Sequence, residues 1–542
     1  MDQPGGAAAR VPRRLSRHTH DTGAAEALRQ SATLHDITGR SWDAVIIGAG
    51  HNGLTCAAYL ARAGMSVAVL EARSRAGGAC TLDRPFSDTR FVISPCAYLV
   101  GLLHQRVVDE LELRRHGYAV QVVDPHLWCP FPDGSSLTLW EDSERNRSTI
   151  ASLSPGDVDG YLRYESLFRR IRRALRDPRH DTWLGDAPDR ERITALLGED
   201  DELAGILFEE SIASVVERHV GDERLRTALH GQGLIGTWAG PRDAGTAAVH
   251  AMHSMGTIEG VAGAWGYVTG GMGAVSAALL RAAGEAGALV ALNAAVAEVD
   301  DGCVRLVGGD RVSARHIVCN ADPGTLLRLC GERAPSAFVQ RLRSWRMQGP
   351  VLKVNCALRR LPRFTAAPDG VAPHRAMVTI ASSLDSTQAA YERSRAGEPS
   401  PGWAELYFHT AYDGSVAPEG MHTMSVFAQY APYSLAVGSW PERRDAAADA
   451  VLDEVARCAP DVRECIVERQ VLAPPDIEAQ TGLSGGHIFQ GECLPDQMWE
   501  RRLTARSALP AAYLCGACTH PGGSVIGANG RNAAMAVLED SS

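Results

Sequence analysis

The chain has 542 residues, with 54 basic against 64 acidic side chains and a net charge of −10. That length allows about three compact units at roughly 100–200 residues each, and 45% hydrophobic with 22% charged residues excludes a disordered chain. A mildly acidic chain without an extended Lys/Arg tract excludes nucleic-acid backbone binding as its purpose. Of the 54 basic residues 53 are Arg, and the single Lys is Lys353. The plain reading of the bias is the Arg-rich codon usage expected of a GC-rich, bacterial-type genome, but Lys, unlike Arg, can lose its proton in a protein.

Residues 1–41 are rich in Ala, Arg, His and Ser without an apolar core, and are expected to form a disordered leader. The stretch Arg13 to Arg17 also has the flavour of an organellar transit peptide. Asp43 to Ile47 is a short apolar run suited to a buried parallel strand. It leads into Gly48-x-Gly50-x-x-Gly53, a helix over Leu54 to Ala63, Gly64 as a cap, a strand over Ser66 to Leu70, and Glu71. Gly48 allows the tight turn, Gly50 lets the backbone approach a pyrophosphate, and Gly53 packs helix on strand. The free N–H groups and dipole of the helix start favour an anion there. Of the two residues between the second and third glycines, His51 packs at the helix start and Asn52 belongs to the phosphate loop. Glu71 is placed to accept hydrogen bonds from a ribose 2′-OH. A lone glycine motif is weak evidence; strand, helix and acid at these spacings make dinucleotide binding the expectation.

Later elements follow the same logic. The segment 157–177 spaces Tyr161, Tyr164, Phe168, Ile171 and Leu175 at helical intervals with Arg at 163, 169, 170, 172, 173 and 176. Such a helix covers a domain or lies on an anionic membrane. The uncharged stretch Gly260 to Leu280 contains six glycines, which suits turns better than a membrane span. A helix over 274–286 and a strand over Leu289 to Val299 follow. Lys353 lies in the alternating run Pro350 to Leu358, typical of a half-buried strand. Residues 401–440 hold eight aromatics whose alternation reads as strands, forming core, the floor of an apolar cavity, or both. Near the C-terminus an apolar strand leads to Gly516, a glycine-rich loop, and a helix from about Asn529.

The run Glu71-Ala72-Arg73-Ser74-Arg75-Ala76-Gly77-Gly78 resembles the flavoprotein superfamily of amine oxidases and phytoene desaturases. The runs GAGHNGLTCAAYLARAG, MGTIEGVAGAWGYVTGGMGAVSAAL and GGHIFQGECLPDQMW resemble its phytoene-dehydrogenase-related group, from about residue 42 to the C-terminus. The resemblance implies an α/β fold in which a Rossmann-like FAD-binding domain is interleaved with an α+β substrate domain. It divides the chain into FAD-binding segments at 42–135, 250–340 and 501–542 and substrate-domain segments at 136–249 (helical) and 341–500 (β-rich). It places Gly48, Gly50, His51, Asn52, Gly53, Glu71, Ala72, Arg73, Gly77 and Gly78 at FAD, with Val296 meeting the adenine. Gly516, Gly527, Ala528 and Asn529 belong to the C-terminal return near the flavin. One complete fingerprint implies no nicotinamide site. Two departures stand out: His487 and Gln490 replace the group's Asn and His in Gly-Gly-Asn-Ile-Phe-His-Gly, and Cys518 replaces a Gly after Cys-Gly-Ala.

For chemistry, the resemblance implies hydride transfer to the flavin from a largely apolar small molecule, as in C–C desaturation, with oxygen or a quinone-like acceptor taking the electrons. C–N oxidation, ketolase-like or isomerising chemistry, and a flavin-bound partner protein with little turnover are the alternatives. In amine-oxidase relatives a lysine holds a water near the flavin N5, which nominates Lys353; the plain alternative is a strand lysine facing solvent. His487, Gln490 and His520 are candidate bases or hydrogen-bonders near the last flavin motif. Cys515-Gly-Ala-Cys518 has dithiol spacing, but Cys515 ends a strand where a small packed residue suffices. No second Cys or His pair lies at ligand spacing, so no metal site is expected. The 13 scattered cysteines imply reduced thiols and a cytoplasmic protein, with membrane-surface association as the lesser alternative.

Overall fold

A computed structural model describes residues 23–367, 372–507 and 512–542. The transit-like stretch 13–17 lies outside them. Two seven-stranded sheets organise the chain.

The first sheet places Ser41–Ile47 parallel between Val67–Leu70 and Arg311–Cys319. Leu289–Ala291 extends it on one side and Ala512–Leu514 on the other, both parallel. Ala44 and Ile46 pack into one core with the helices His51–Arg62, Gly273–Glu285 and Ala528–Asp540, whereas Val45 and Ile47 pack into another on the opposite face. Burial on both faces is why this strand reads as an unbroken apolar run. The single strand expected over 289–299 is two: Leu289–Ala291, then Val296–Asp300 in an antiparallel hairpin with Cys303–Leu306. The break falls where Asn293 (φ +55) turns and the N–H groups of Asn293 and Ala294 donate to the carbonyls of Arg73 and Glu71.

The second sheet runs, in spatial order, Ile466–Leu472, Val351–Leu358, His422–Gln429, Trp403–Tyr407, Val378–Ala381, Leu127–Pro130 and Ser136–Leu139. Strand Leu127–Pro130 precedes residue 136, so the chain enters this sheet earlier than the motifs alone imply. Lys353, Phe427 and Glu405 pair directly across three neighbouring strands and therefore share one face. The other face carries Val354, Val426 and Leu406 into a core with the helix Trp440–Ala456. Strand Val351–Leu358 is buried along its whole length rather than half-buried.

Residues 23–40 lie against the first sheet. The helices Ala24–Ala27 and Leu34–Thr38 are held there by Ala32 N–H on the Val290 carbonyl and Ala76 N–H on the Leu28 carbonyl. The buried side chains of Leu28 and Ile37 are what hold this part of the expected leader in place.

The helix Val158–Leu175 buries Tyr161, Tyr164, Leu167, Phe168, Ile171 and Leu175. Burial of each large apolar side chain contributes roughly 1.5–3 kcal/mol, against about 1 kcal/mol for a basic residue at an anionic lipid surface. The apolar side is therefore committed to the core. Arg170, Arg172 and Arg176 hold Asp200, the Ser254 carbonyl and Asp181, leaving Arg163, Arg169 and Arg173 exposed. Among the described residues no helix is long and apolar enough to cross a membrane.

Candidate active site

One cavity of about 490 Å³ runs from the glycine motif to the inner face of the second sheet. At its first end Gly48 (φ +97) turns the chain out of the strand, and its N–H donates to the Leu70 carbonyl (2.8 Å). Glu71 is buried; its Oε2 accepts from Ala49 N–H (2.8 Å) and its Oε1 from Arg73 N–H (3.0 Å). One carboxylate thus clamps the phosphate loop to the neighbouring strand while lining the cavity. Gly77 N–H donates to the Ala49 carbonyl, and a Cβ on Gly78 would come within 3.2 Å of Gly50 Cα. Two backbone turns are pressed together here, which is what the second glycine pair permits.

The cradle fits the pyrophosphate of FAD. Glycines face it, the helix His51–Arg62 starts there, and His51 Nε2 and Asn52 Oδ1 are buried without a protein partner. Burial pushes the His51 ring down to about 4, so it presents a neutral ring. Farther along, Ala72, Arg73 and Val296 line the cavity beside Glu71. Arg73 also donates from Nη1 to the Gln480 carbonyl, so the helix Pro474–Thr481 closes over this end. Residues 477–479 and 481–484 line the cavity although they fall inside the expected substrate segment. Asn320, at the end of Arg311–Cys319, is also a wall residue; its Nδ2 donates to the Gly48 carbonyl (3.3 Å).

Six of the expected cofactor residues stand behind this wall rather than in it: Gly53, Gly77, Gly516, Gly527, Ala528 and Asn529. Their task is shape. A Cβ on Gly53 would sit 2.2 Å from the Gly48 carbonyl oxygen, and one on Gly516 would sit 2.3 Å from Gln490 Oε1. Asn529 is fully buried and donates from Nδ2 to the carbonyls of Thr519 (2.9 Å) and Gly522 (3.0 Å), fixing the C-terminal loop. From that loop Ala517, Ser524 and Val525 reach the cavity.

The four residues nominated for chemistry separate. Lys353 and Gln490 line the cavity; His487 and His520 do not. Gln490 is a clamp, donating from Nε2 to the Asn320 carbonyl (3.3 Å) and accepting at Oε1 from Cys518 N–H (3.2 Å). His487 accepts at Nδ1 from Phe489 N–H (3.2 Å), so its Nε2–H donates to Glu492 Oε1 (3.3 Å). Burial works against ionisation of Glu492, but the hydrogen bonds from His487, Thr237 and the Trp238 N–H outweigh it and hold that carboxyl below its usual range. His520 donates from Nε2 to the Thr182 carbonyl (2.7 Å), and burial pushes its pKa to about 4. His487 is a satisfied structural group, the commoner fate of a buried histidine, whereas His520 Nδ1 is buried without a partner among the described residues.

Lys353 is buried (1% exposed) and donates from Nζ to Ser425 Oγ (2.7 Å), 4.0 Å above the Tyr98 ring. Burial lowers its pKa to about 7. Tyr98 stacks on Tyr407 (4.1 Å), which donates to the buried Glu405; Gln232 donates to the other oxygen of Glu405 (2.9 Å). Burial raises Glu405 to about 7. The Gln232 carbonyl accepts from His253 Nδ1 (3.3 Å), leaving His253 Nε2 as the acceptor of a neutral ring that lines the cavity. Tyr98, Gln232, His253 and Glu405 come from four distant segments, and no local spacing marks them. Of the eight aromatics at 401–440, Phe427 is at the cavity wall, while Phe408 and Trp440 pack in the core behind the sheet.

Cys515 and Cys518 are both fully buried, and burial raises Cys515 well above the usual thiol range and Cys518 to about 12. Neither is an attacking thiolate. All 13 cysteines are buried. The native protein is therefore expected to leave its thiols unmodified by an aromatic disulfide reagent until denaturant is added; rapid loss of two thiols in the native state would restore the dithiol reading.

The comparisons agree with this geometry. The chain is 34% identical over 577 residues to pyridine nucleotide-disulfide oxidoreductase domain-containing protein 2 of Rattus norvegicus, covering 97% of this chain and 98% of the rat protein. It is 24% identical to the lycopene-forming phytoene desaturase of Pantoea ananas, covering 91% and 99% of the two chains. Cyclohexylamine oxidase from Brevibacterium oxydans IH-35A shares the fold, with a TM-score of 0.56 at 17% identity over 93% of this chain and 100% of that one. A cradle assembled from three returns of one chain, with residues 53–538 matching the model of the flavin-containing amine oxidoreductases, places the protein in that family as an FAD-dependent oxidoreductase.

Proposed function

We propose that the enzyme desaturates a C–C bond of a largely apolar small molecule, with oxygen or a quinone-like compound as the final electron acceptor. The observation that carries this reading is the far end of the cavity, where Val351, Phe427, Ile235, Trp265, Ile488 and Phe489 make an apolar and aromatic wall. FAD bound at the glycine cradle supplies a two-electron acceptor for hydride. The chain's own share is to hold the substrate against that acceptor, exclude water with the buried wall, and receive the proton that desaturation also releases. His253 Nε2 is a proton acceptor on the wall, oriented by the Gln232 carbonyl. The phytoene desaturase relative supports C–C chemistry.

Amine oxidation is the competing reading, because the stacked tyrosines offer a π face to a cation. That face is already taken by Lys353 at 4.0 Å, which favours the first reading. The test is anaerobic bleaching of the flavin in purified protein by a panel of polyenes, amines and cyclised peptides. Bleaching by a polyene is the expected result. Bleaching by amines alone transfers the site to C–N oxidation, and a yellow protein that nothing bleaches is a flavin-bound partner protein. Protein that carries and binds no flavin overturns the entire assignment.

A further inference from the structure

The C-terminal loop brings Ala517, Ser524 and Val525 to the cavity wall, and Ser524 does so at φ +94. Residues with a side chain rarely adopt that backbone region, so surrounding contacts must hold Ser524 in it. On the N-terminal side of Ser524, Asn529 secures the carbonyls of Thr519 and Gly522. On the C-terminal side the hold comes from a distant segment: His104 N–H donates to the Ile526 carbonyl (2.9 Å).

His104 is itself fixed by an ionic network that lines no part of the cofactor cavity. Its Nδ1 accepts from Arg106 N–H (3.1 Å), so its Nε2–H donates to Asp181 Oδ2 (3.0 Å). Asp181 Oδ1 accepts from Trp183 N–H (3.0 Å) and lies 3.0 Å from Arg176 Nε, whose guanidinium covers the Trp183 ring at 3.8 Å. Burial works against ionisation of Asp181, but His104 and Arg176 outweigh it and hold the carboxyl below its usual range. Asp181 opens a turn after the helix Val158–Leu175, tied to that helix by Thr182 N–H (3.0 Å) and Oγ1 (2.9 Å) on the Leu175 carbonyl. The turn's main chain then makes three bonds to the C-terminal segment. The Thr182 carbonyl accepts from His520 Nε2 (2.7 Å), the Trp183 carbonyl accepts from Asn532 Nδ2 (2.9 Å), and Gly185 N–H donates to Asn532 Oδ1 (3.0 Å). His520 and Asn532 stand on either side of Ser524, so one carboxylate organises the supports of both flanks.

We propose that Asp181 is a positioning residue of the flavin reaction: through His104 and the turn 181–185 it sets residues 524–526 against bound FAD and so tunes the flavin's reduction potential. A cofactor's potential follows the difference in the protein's affinity for its oxidised and reduced forms, and that difference responds to the polar main chain placed beside it. The stretch at Ser524 is the strained part of the wall, so it relaxes first when a support is removed. A carboxylate suits the position because it faces His104, the Trp183 N–H and Arg176 at once. An amide offers one acceptor oxygen and no charge, and can serve only part of that set. The assignment rests on FAD at the glycine cradle and holds whichever substrate is oxidised.

The test is a spectroelectrochemical titration of the flavin-loaded full chain, with visible circular dichroism of the flavin, at a temperature well below each variant's unfolding midpoint. Asp181→Ala is expected to change the ratio of affinities for oxidised and reduced flavin by at least about tenfold, a midpoint shift of about 30 mV for two electrons, and to alter the flavin's dichroism. Asp181→Asn should recover part of the shift. Val451→Ala, in the core between the helix Trp440–Ala456 and the second sheet, is the control: it lowers the unfolding midpoint and leaves the potential and the dichroism unchanged. An Asp181→Ala protein that is less stable but keeps the wild-type potential and dichroism overturns the proposal, as does an equal shift in Val451→Ala. Should Asp181→Ala fail to fold or to retain flavin, His104→Ala decides, because it leaves the bond between Asp181 and the Trp183 N–H in place. An unshifted potential in that variant overturns the proposal equally. Wild-type protein that binds no flavin defeats the cofactor assignment; flavin-bearing variants with an unchanged potential defeat only this inference.

Discussion

Arg502→Met is expected to destabilise the protein by about 3–5 kcal/mol and to release its flavin. The guanidinium is fully buried and, among the described residues, has no carboxylate partner. It donates instead to main-chain carbonyls: Phe489 (2.9 Å), Glu492 (2.7 Å), Gln497 (3.3 Å), Ala517 (2.6 Å) and Thr519 (3.3 Å). The first three belong to the stretch that carries His487 and Gln490; the last two belong to the C-terminal cofactor loop. One planar fork thus joins two parts of the wall. Methionine fills part of the volume but leaves four of these carbonyls without donors, Thr519 alone keeping Asn529 Nδ2, and each buried orphan costs about 1–3 kcal/mol. Lysine offers donors at a single atom and cannot span both segments, so Arg502→Lys should lose nearly as much. The check is the denaturation midpoint together with flavin retained after gel filtration. A lysine variant with wild-type stability and flavin content would show that charge, not the fork, holds the loop.

Gly53→Ala should abolish flavin binding. A Cβ there would stand 2.2 Å from the Gly48 carbonyl oxygen and 3.1 Å from Asn320 Cβ. The first obstacle is backbone and cannot rotate away, so the helix His51–Arg62 must lift from its strand. Overpacking of this kind typically costs about 1–3 kcal/mol. The effect on the ligand is larger, because the displaced turn carries the N–H groups that would meet the pyrophosphate of bound FAD. The expected result is folded, colourless protein with flavin affinity reduced at least about a hundredfold, roughly twice the 1.4 kcal/mol that corresponds to tenfold. Gly284→Ala is the control: a Cβ there meets nothing within 4 Å in the helix Gly273–Glu285, and up to about 1 kcal/mol of stability is gained. Normal flavin content in Gly53→Ala would remove the close-packing role from this glycine.

These two residues illustrate what sequence can reveal. Gly53 was legible because its strand, turn and helix are contiguous, and each imposes its own local residue choice. The same holds for the strand before Gly516 and for the strand bearing Lys353. Arg502 is one of 53 arginines, and nothing near it distinguishes a buried fork from a surface charge. Its role arises only when residues 489–497 and 517–519 meet around it. Tyr98, His253 and Glu405 escaped for the same reason, and the cover formed by residues 477–484 did too. His487 and His520 misled in the opposite direction. Their place beside a cofactor motif suggests chemistry, whereas the fold sets His487 against Glu492 and His520 against the Thr182 carbonyl, neither lining the cavity.

The order of strands in the first sheet has a consequence for biosynthesis. Ser41–Ile47 emerges from the ribosome well before Ala512–Leu514 and the helix Ala528–Asp540, which packs on His51–Arg62. Arg531 reaches back to Glu110 across 421 residues of chain. Such distant pairings make folding slow, since loop-closure entropy is lost before the contacts form. Until those later elements emerge, one side of the nascent nucleotide cradle is open, exposing Ala44, Leu54 and their apolar neighbours to whatever else is in the cell. Flavin capture is thus a late event in the life of the polypeptide, and a chaperone that shields this unfinished edge would raise the yield of yellow protein.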